Sequence, residues 1–280
     1  MSNTKISRRI GIVGYGHLGQ YLVEEIEKRS DVELAFVWNR TTEAMAGKVP
    51  ESAILRDLSD FKHREADLIV EVAHPSISQQ FGPSFLAHAD YMVGSPTALA
   101  DLELESSLRS AATGHGLYIP SGAFWGGDDI KKMADRGTLQ ALKVTMKKHP
   151  TCFKLSGEIE ELNKTVTGKA VVLYDGSVRG LCPLAPNNVN TMAAAALAAH
   201  NLGFDKVQGS LVSDPGLRDW HIVEVELWGP GDMQSDRAFH CKTVRRNPAT
   251  FGAVTGSATY TSFLSSMLGA HSKGPGVHLC

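Results

Sequence analysis

The stretch Arg8-Arg9-Ile10-Gly11-Ile12-Val13-Gly14-Tyr15-Gly16-His17-Leu18-Gly19-Gln20-Tyr21-Leu22-Val23-Glu24-Glu25-Ile26 decides the fold of this chain. Ile10-Gly11-Ile12-Val13 is an apolar run of strand character. Apolar residues then recur at Leu18, Leu22, Val23 and Ile26, the stripe of a helix lying on a sheet. Between them stands G-x-G-x-x-G, a loose pattern that gains meaning from its place between a strand and a helix. Gly14 permits a tight turn, Gly16 lets the backbone approach a pyrophosphate, and Gly19 lets helix and strand pack closely. The phosphates then meet free N–H groups at the positive end of the helix, with His17 and Leu18 of the same turn as further contacts. Glu33 to Val37 reads as the next strand and completes a βαβ unit.

The end of that second strand selects the cofactor. An NAD site usually places Asp or Glu there, to accept from the ribose 2′-hydroxyl. Here the chain reads Val37-Trp38-Asn39-Arg40-Thr41-Thr42, with no carboxylate until Glu43. Asn39 can bond a hydroxyl, and Arg40 with the two threonines can hold a 2′-phosphate. The pattern favours NADP over NAD and leaves dual use open. Otherwise Arg40 is an ordinary solvated side chain.

A chain of 280 residues has room for one large or two modest domains. Its formal net charge is −2 with the two signs interspersed, so no basic block points to nucleic acid or to a membrane surface. Cys152, Cys182, Cys241 and Cys280 have no metal-ligand spacing and read as free thiols in a reducing compartment. The N-terminus runs directly into the first strand, and no apolar run has the length of a membrane span. The expectation is a soluble, cytoplasmic protein whose partner is a small molecule.

Beyond the first βαβ unit, strand-like runs continue at Asp67 to Ala73, Asp90 to Ser95 and Gly116 to Pro120, with helical spacing from Ala98 to Ala112. Strands alternating with helices predict an α/β, doubly wound Rossmann domain. After Ser121 the pattern changes. Leu139 to Met146, Ala170 to Leu173, His221 to Trp228 and Phe239 to Arg245 read as strands with one wet face, and Asn190 to Asn201 as an alanine-rich helix. These predict an inserted α+β domain carrying an open-faced sheet. The expected division is 1–120 plus 247–280 for the dinucleotide-binding domain and 121–246 for the substrate domain. A last helix at about Phe251 to Leu268 is expected to return to the first domain, and Ser272-Lys273-Gly274-Pro275-Gly276 to fray.

Ligands of doubly wound sheets bind beyond the C-terminal strand ends, which here include Ala73-His74-Pro75, Gly94-Ser95-Pro96-Thr97 and Pro120-Ser121-Gly122-Ala123. Of the eleven histidines, His221 opens a strand after Asp214-Pro215-Gly216, while His74 closes one. Both are candidates for acid–base chemistry, and either can equally be a structural histidine. Asn190 suits an N-cap, or the presentation of an amide to a ligand at the helix start.

Taken in order, several segments resemble the L-aspartate dehydrogenase family. They are the early Gly-rich turn, Ser121-Gly122-Ala123 with Gly127-Asp128, Leu173-Tyr174-Asp175-Gly176-Ser177 and Pro186-Asn187-Asn188-Val189-Asn190. Asp214-Pro215 before a His-led strand and Asn247-Pro248 before a helix containing Thr255 complete the set, which spans nearly the whole chain. The resemblance implies oxidative deamination of L-aspartate with NAD or NADP, through iminosuccinate toward oxaloacetate and ammonia, in a homodimer. It also implies His221 as the catalytic histidine, and Ala123 with Asn188 or Asn190 as contacts near the nicotinamide. Ala73 and His74, at a strand end of the first domain, join the cofactor set.

Two features depart from the family. Ala185 stands where Phe is usual, and Gly180 and Pro183 shorten or kink the helix expected before it. Both leave the substrate less certain than the cofactor. A neutral imidazole suits removal of the substrate's ammonium proton. Ser121, Thr97, Lys143, Arg179 and Arg218 are the candidate donors to substrate carboxylates. The alternatives are a related amino- or hydroxy-acid dehydrogenase, and a catalytically silent NADP-binding sensor.

Overall fold

In the computed structural model, which describes residues 7–280, β1 (Arg8–Val13) runs straight into the Gly14–Gly19 turn. The chain divides into two compact units, one holding residues up to Pro120 with Leu264–His278 and Cys280, the other Ser121–Phe263 with Leu279.

In the first unit, β1 is followed by α1 (His17–Glu27), β2 (Val32–Trp38), β3 (Ile54–Leu55), β4 (Leu68–Glu71), α2 (Pro75–Leu86), β5 (Asp90–Val93), α3 (Leu102–Ala111) and β6 (Gly116–Ile119). The helix α1 buries Gly19, Leu22, Val23 and Ile26, the stripe that the spacing predicts, slightly rotated because Leu18 stays half-exposed. The strands lie in the order β6-β5-β4-β1-β2-β3, and every one of these pairings is parallel. The order reverses between β4 and β1, so the crevice for a ligand opens where the Gly-rich turn stands. β4, β5 and β6 are almost wholly buried and, apart from Glu71 and Asp90, free of charged residues, as strands covered on both faces must be.

The helix expected from Ala98 to Ala112 is broken. Pro96–Ala100 makes a 3₁₀ turn, and Asp101 then caps α3 by accepting from the Leu104 N–H at 2.9 Å. The capping carboxylate competes with a continuous helix and wins, which turns Leu102 out to solvent. α2 begins with Pro75 at its first position and carries Pro83 in its interior, a composition that masks it in the sequence.

The second unit contains α4 (Gly127–Asp135), β7 (Ala141–Lys148), α5 (Glu158–Lys164), β8 (Val171–Ser177), α6 (Val178–Leu181), α7 (Asn190–Ala198), α8 (Gly203–Lys206), β9 (Gln208–Ser213), β10 (Trp220–Asp232) and β11 (Arg237–Pro248). Its sheet runs β11-β10-β7-β9-β8 and is mixed, with β7 and β9 parallel and the remaining neighbours antiparallel. β7 alternates perfectly between half-exposed and buried residues, and β10 does so over its first ten. The wet face carries ion pairs among Lys143, Asp175, Lys147, Glu224, Glu226 and Lys242. An open-faced sheet in an α+β unit is therefore present, as the alternation predicts. α7 is buried all round, from Thr191 to Ala198. Its Met192 packs against β9, where a Cβ on Gly209 would stand 2.9 Å from the Met192 sulfur.

α9 (Ser257–Gly269) starts in the second unit and ends in the first. The stretch from Ser272 to Pro275, read from the sequence as a fraying tail, is an irregular segment. Gly276 leaves it and begins β12 (Gly276–Leu279), which lies beside β6 and extends the first sheet to seven strands. The Gly276 N–H donates to the Ala112 carbonyl and the Cys280 N–H to that of Ile119. A four-residue strand carries almost no local signal, and an unpaired strand edge supplies the partner that makes it one. Among the described residues, no helix is long and apolar enough to cross a membrane.

Candidate functional site

The Gly14–Gly19 turn has the geometry of a phosphate cradle. Gly14 sits at φ +116°, where a Cβ would also stand 2.8 Å from the Val72 carbonyl carbon, so no other residue fits. Gly16 has no atom within 4 Å of where its Cβ would lie, leaving its backbone open to a ligand. No side chain caps α1, the arrangement in which a helix N-terminus can receive an anion. Tyr15 is buried and its N–H donates to the Asn39 carboxamide at 3.1 Å, while the Asn39 Nδ2 donates to the Thr41 carbonyl. Asn39 thus braces the end of β2 against the turn. His17 and Arg40 are exposed, and Arg40 stands next to Thr41 and Thr42.

Under the same crevice lies a carboxylate that the sequence reading passes over. Glu71 ends β4 fully buried, and accepts from the Ala73 N–H at 2.7 Å, the Ser95 N–H at 3.0 Å and the Ser95 hydroxyl at 3.3 Å. It ties two strand-end loops together. Burial raises its pKa from 4.5 to about 7, against these hydrogen bonds, which favour the ionised form. The folded pKa is raised, so the folded protein binds this proton more tightly than the unfolded chain. The stabilisation is complete at low pH and is lost as pH rises from about 4.5 through 7. Over that window the melting temperature of wild type should fall relative to Glu71→Gln, by the equivalent of as much as about 3 kcal/mol. Parallel melting curves from pH 4.5 to 8 would remove Glu71 from this role.

Ala73 and His74 follow it. Ala73 is exposed, and the His74 Nδ1 accepts from the Ser76 N–H at 3.2 Å as the N-cap of α2. His74, a candidate for acid–base chemistry, is engaged as a helix cap.

The remaining candidates meet in a small, partly open cleft of the second unit, with a cavity volume of about 90 Å³. Ala123, Asn188, Asn190 and His221 all line it, together with Lys148, Asn187, Thr191, Asn247, Thr255 and Thr259. Ala123 is held there by its neighbour: the Gly122 carbonyl accepts from the Ser262 hydroxyl at 2.8 Å and from Arg245 at 3.4 Å. Asn188 is buried, accepts from the Lys154 N–H at 2.8 Å and donates to the Cys152 carbonyl at 3.2 Å, so its carboxamide fixes the cleft wall. Asn190 is not the N-cap that its residue type suggests. Val189 occupies that position and Asn190 is the first residue of α7, which turns it from cap to cleft lining.

His221 is 4% exposed, and among the described residues its Nε2 has no hydrogen-bond partner. The Ala253 backbone bonds the ring and favours its charged form, the smallest of the influences on it. Burial foremost, then the Lys148 ammonium, lower its pKa to about 4, so the imidazole is neutral at physiological pH.

Lys148 is the residue that the sequence reading misses. β7 reads from the sequence as ending at Met146, whereas its alternation runs two residues further and puts Lys148 on the covered face. Pairing of Ile222 with Lys147 then sets His221 beside Lys148 across two strands. The expected carboxylate donors lie elsewhere. Lys143 pairs with Asp175 at 2.8 Å, Arg179 with Asp205 at 2.6 Å, Arg218 lies over the Phe251 ring, and Thr97 is buried in the first unit. Ser121 is half-exposed and does not line the cleft.

Comparison with known proteins follows the same two parts. Residues 14–120 match the family model described as homoserine dehydrogenase, NAD binding domain, and residues 129–266 that described as aspartate dehydrogenase, C-terminal. The chain is 54% identical over 97% of its length to an aspartate dehydrogenase domain-containing protein of Xenopus tropicalis, covering 98% of it. A Danio rerio protein of that name is also 54% identical, with the same two coverages. An L-aspartate dehydrogenase of Methanococcoides burtonii is 31% identical, over 78% of this chain and 83% of its own. The crystal structure of aspartate dehydrogenase from Thermotoga maritima superposes with a TM-score of 0.66 at 21% identity, covering 95% and 97% of the two chains. With the dinucleotide turn, the two sheets and these matches in hand, the chain belongs to the aspartate dehydrogenase family and has the fold of a nicotinamide-dependent oxidoreductase.

Proposed function

We propose that this protein oxidatively deaminates L-aspartate with NADP in preference to NAD, using His221 as the general acid/base. The observation that carries the proposal is the buried, neutral His221 imidazole with an unpartnered Nε2, set beside a cation in a polar cleft. The L-aspartate dehydrogenase named above supports the choice of substrate. A bound nicotinamide dinucleotide supplies the hydride acceptor, and the Gly14–Gly19 turn, with Asn39 and Arg40 at the end of β2, fits one. Ala73 stands at the neighbouring strand end. His221 takes one proton from the substrate ammonium, which frees the nitrogen lone pair to drive hydride loss from Cα. The product of that loss is iminosuccinate. Water then adds to the imine carbon, ammonia leaves and oxaloacetate forms, with His221 returning the proton it holds. Homodimer formation and a cytoplasmic location belong to the same proposal, carried by the family resemblance and, for location, by four free thiols.

The test is absorbance of reduced cofactor with NADP and NAD across a panel of L- and D-amino acids. Turnover confined to L-aspartate supports the proposal. A protein that binds NADPH yet is inert with the whole panel is a sensor instead.

Cofactor preference has its own test. Arg40→Ala should weaken NADPH about 10- to 150-fold, the equivalent of losing a charge-assisted phosphate contact of roughly 1.5–3 kcal/mol, and leave NADH nearly unchanged. Equal losses for both cofactors, measured by fluorescence titration, would mean that Arg40 does not read the 2′-phosphate.

A further inference from the structure

Lys148 is 4% exposed, and its ammonium donates to the Val254 carbonyl at 2.9 Å. Its other neighbours are the Phe153 ring at 5.9 Å, the Cys152 thiol and the His221 imidazole. Among the described residues it has no carboxylate partner, and the cleft that it lines contains no Asp or Glu. A buried charge without a counter-ion is among the most costly arrangements in a protein, and persists where something compensates it. Apart from His221, the other polar wall residues are all asparagines and threonines, which carry no charge.

We propose that Lys148 is the carboxylate-recognition residue of this cleft, and that an organic anion seated against its ammonium is the missing counter-ion. The proposal rests on the cleft being the substrate site proposed above, and it assigns the residue there that meets a carboxylate. It also bears on His221. In the ligand-free cleft burial first, and then the Lys148 charge, hold the imidazole down at about 4, a poor base. A carboxylate between the two groups cancels the repulsion and raises the imidazole, so that basicity develops only when substrate is bound. Lys148 is thus a binding residue for the substrate and a positioning residue for the proton transfer.

Burial lowers the Lys148 pKa from 10.5 to about 8. Ammonium predominates below that pH and is lost above it, so anion affinity should fall as pH rises through about 8. The probe is succinate, a C4 dicarboxylate with no amino group to oxidise, titrated calorimetrically into the full-length protein saturated with NADPH. Succinamide, the uncharged counterpart, is the control. Succinate should bind and succinamide should not. Lys148→Met should lower succinate affinity about 10- to 100-fold, the usual worth of a hydrogen bond to a charged group. Lys148→Arg should retain binding and abolish the fall above pH 8, since a guanidinium keeps its charge there. In nuclear magnetic resonance titrations the His221 imidazole pKa should rise when succinate is added. Unchanged succinate affinity in Lys148→Met, or equal binding of succinamide, overturns the proposal. So does a wild type that ignores succinate. A wild type that binds succinate through Lys148 but leaves L-aspartate unoxidised keeps the anion site and sinks the deamination reaction. Oxidation of L-aspartate with an unchanged KM in Lys148→Met does the reverse.

Discussion

His221→Asn should lower L-aspartate turnover roughly 10²–10⁴-fold while leaving NADPH affinity within about twofold of wild type. The rate falls because asparagine keeps the polarity and much of the size of the imidazole but has no basic nitrogen to accept the ammonium proton. Affinity should hold because the proposed dinucleotide site is the Gly14–Gly19 turn. Folding should survive, since His221 stands at the start of β10, paired with Asn247 across the ladder, and its Nε2 contributes no hydrogen bond to the fold. The pH profile is as informative as the rate. A histidine of ordinary pKa would make kcat/KM rise through about pH 6.5. With the ligand-free imidazole near 4, kcat/KM should have no His221 limb between about pH 5.5 and 7.5. The stability linkage runs the other way from that of Glu71. The folded pKa of His221 is depressed, so its contribution is present above about 6.5 and lost as pH falls toward 4. Full aspartate turnover in His221→Asn, measured by NADP reduction, would falsify the acid–base role and return attention to His74.

Gly19→Ala should abolish dinucleotide binding, with a loss of at least about 100-fold for NADPH and NADH alike. A Cβ at this position would lie 2.0 Å from the Gly14 carbonyl oxygen. That oxygen is backbone, in a turn pinned by the Gly14 N–H to the Trp38 carbonyl at 2.8 Å, so it cannot step aside as a flexible side chain would. Either α1 lifts from β1 or the turn opens, and both displace the N–H groups that meet the pyrophosphate. Gly16→Ala is the matched control, because its Cβ would enter open space. It should leave the fold intact and weaken binding only as far as the methyl obstructs the phosphates. Circular dichroism with cofactor titration separates the two. A Gly19→Ala protein that binds NADPH normally would show that α1 and β1 need no close approach.

The residues that organise the first sheet were legible because their signals are local. Strand, turn and helix from Arg8 to Glu27 follow from the spacing of a few apolar residues and three glycines, and the alternating strands of the second unit from a period of two. Asn39, Arg40 and the missing carboxylate at the end of β2 are equally local. Where side chains compete with the backbone, local reading failed. Asp101 ends one helix to start another.

The amino-acid sequence by itself determined the doubly wound sheet, the open-faced sheet and the dinucleotide turn, and left His221 and His74 as candidates between which only the family resemblance chose. Only the tertiary structure decided that Lys148 stands beside His221, that Glu71 is buried under the crevice, and that Gly276–Leu279 is a strand. The reason is physical. A repeating pattern sets which way a side chain faces, but the environment of a charge depends on residues brought from far along the chain. Lys148 and His221 are 73 positions apart in the sequence and neighbours only through the β7–β10 register, where burial lowers the pKa of both.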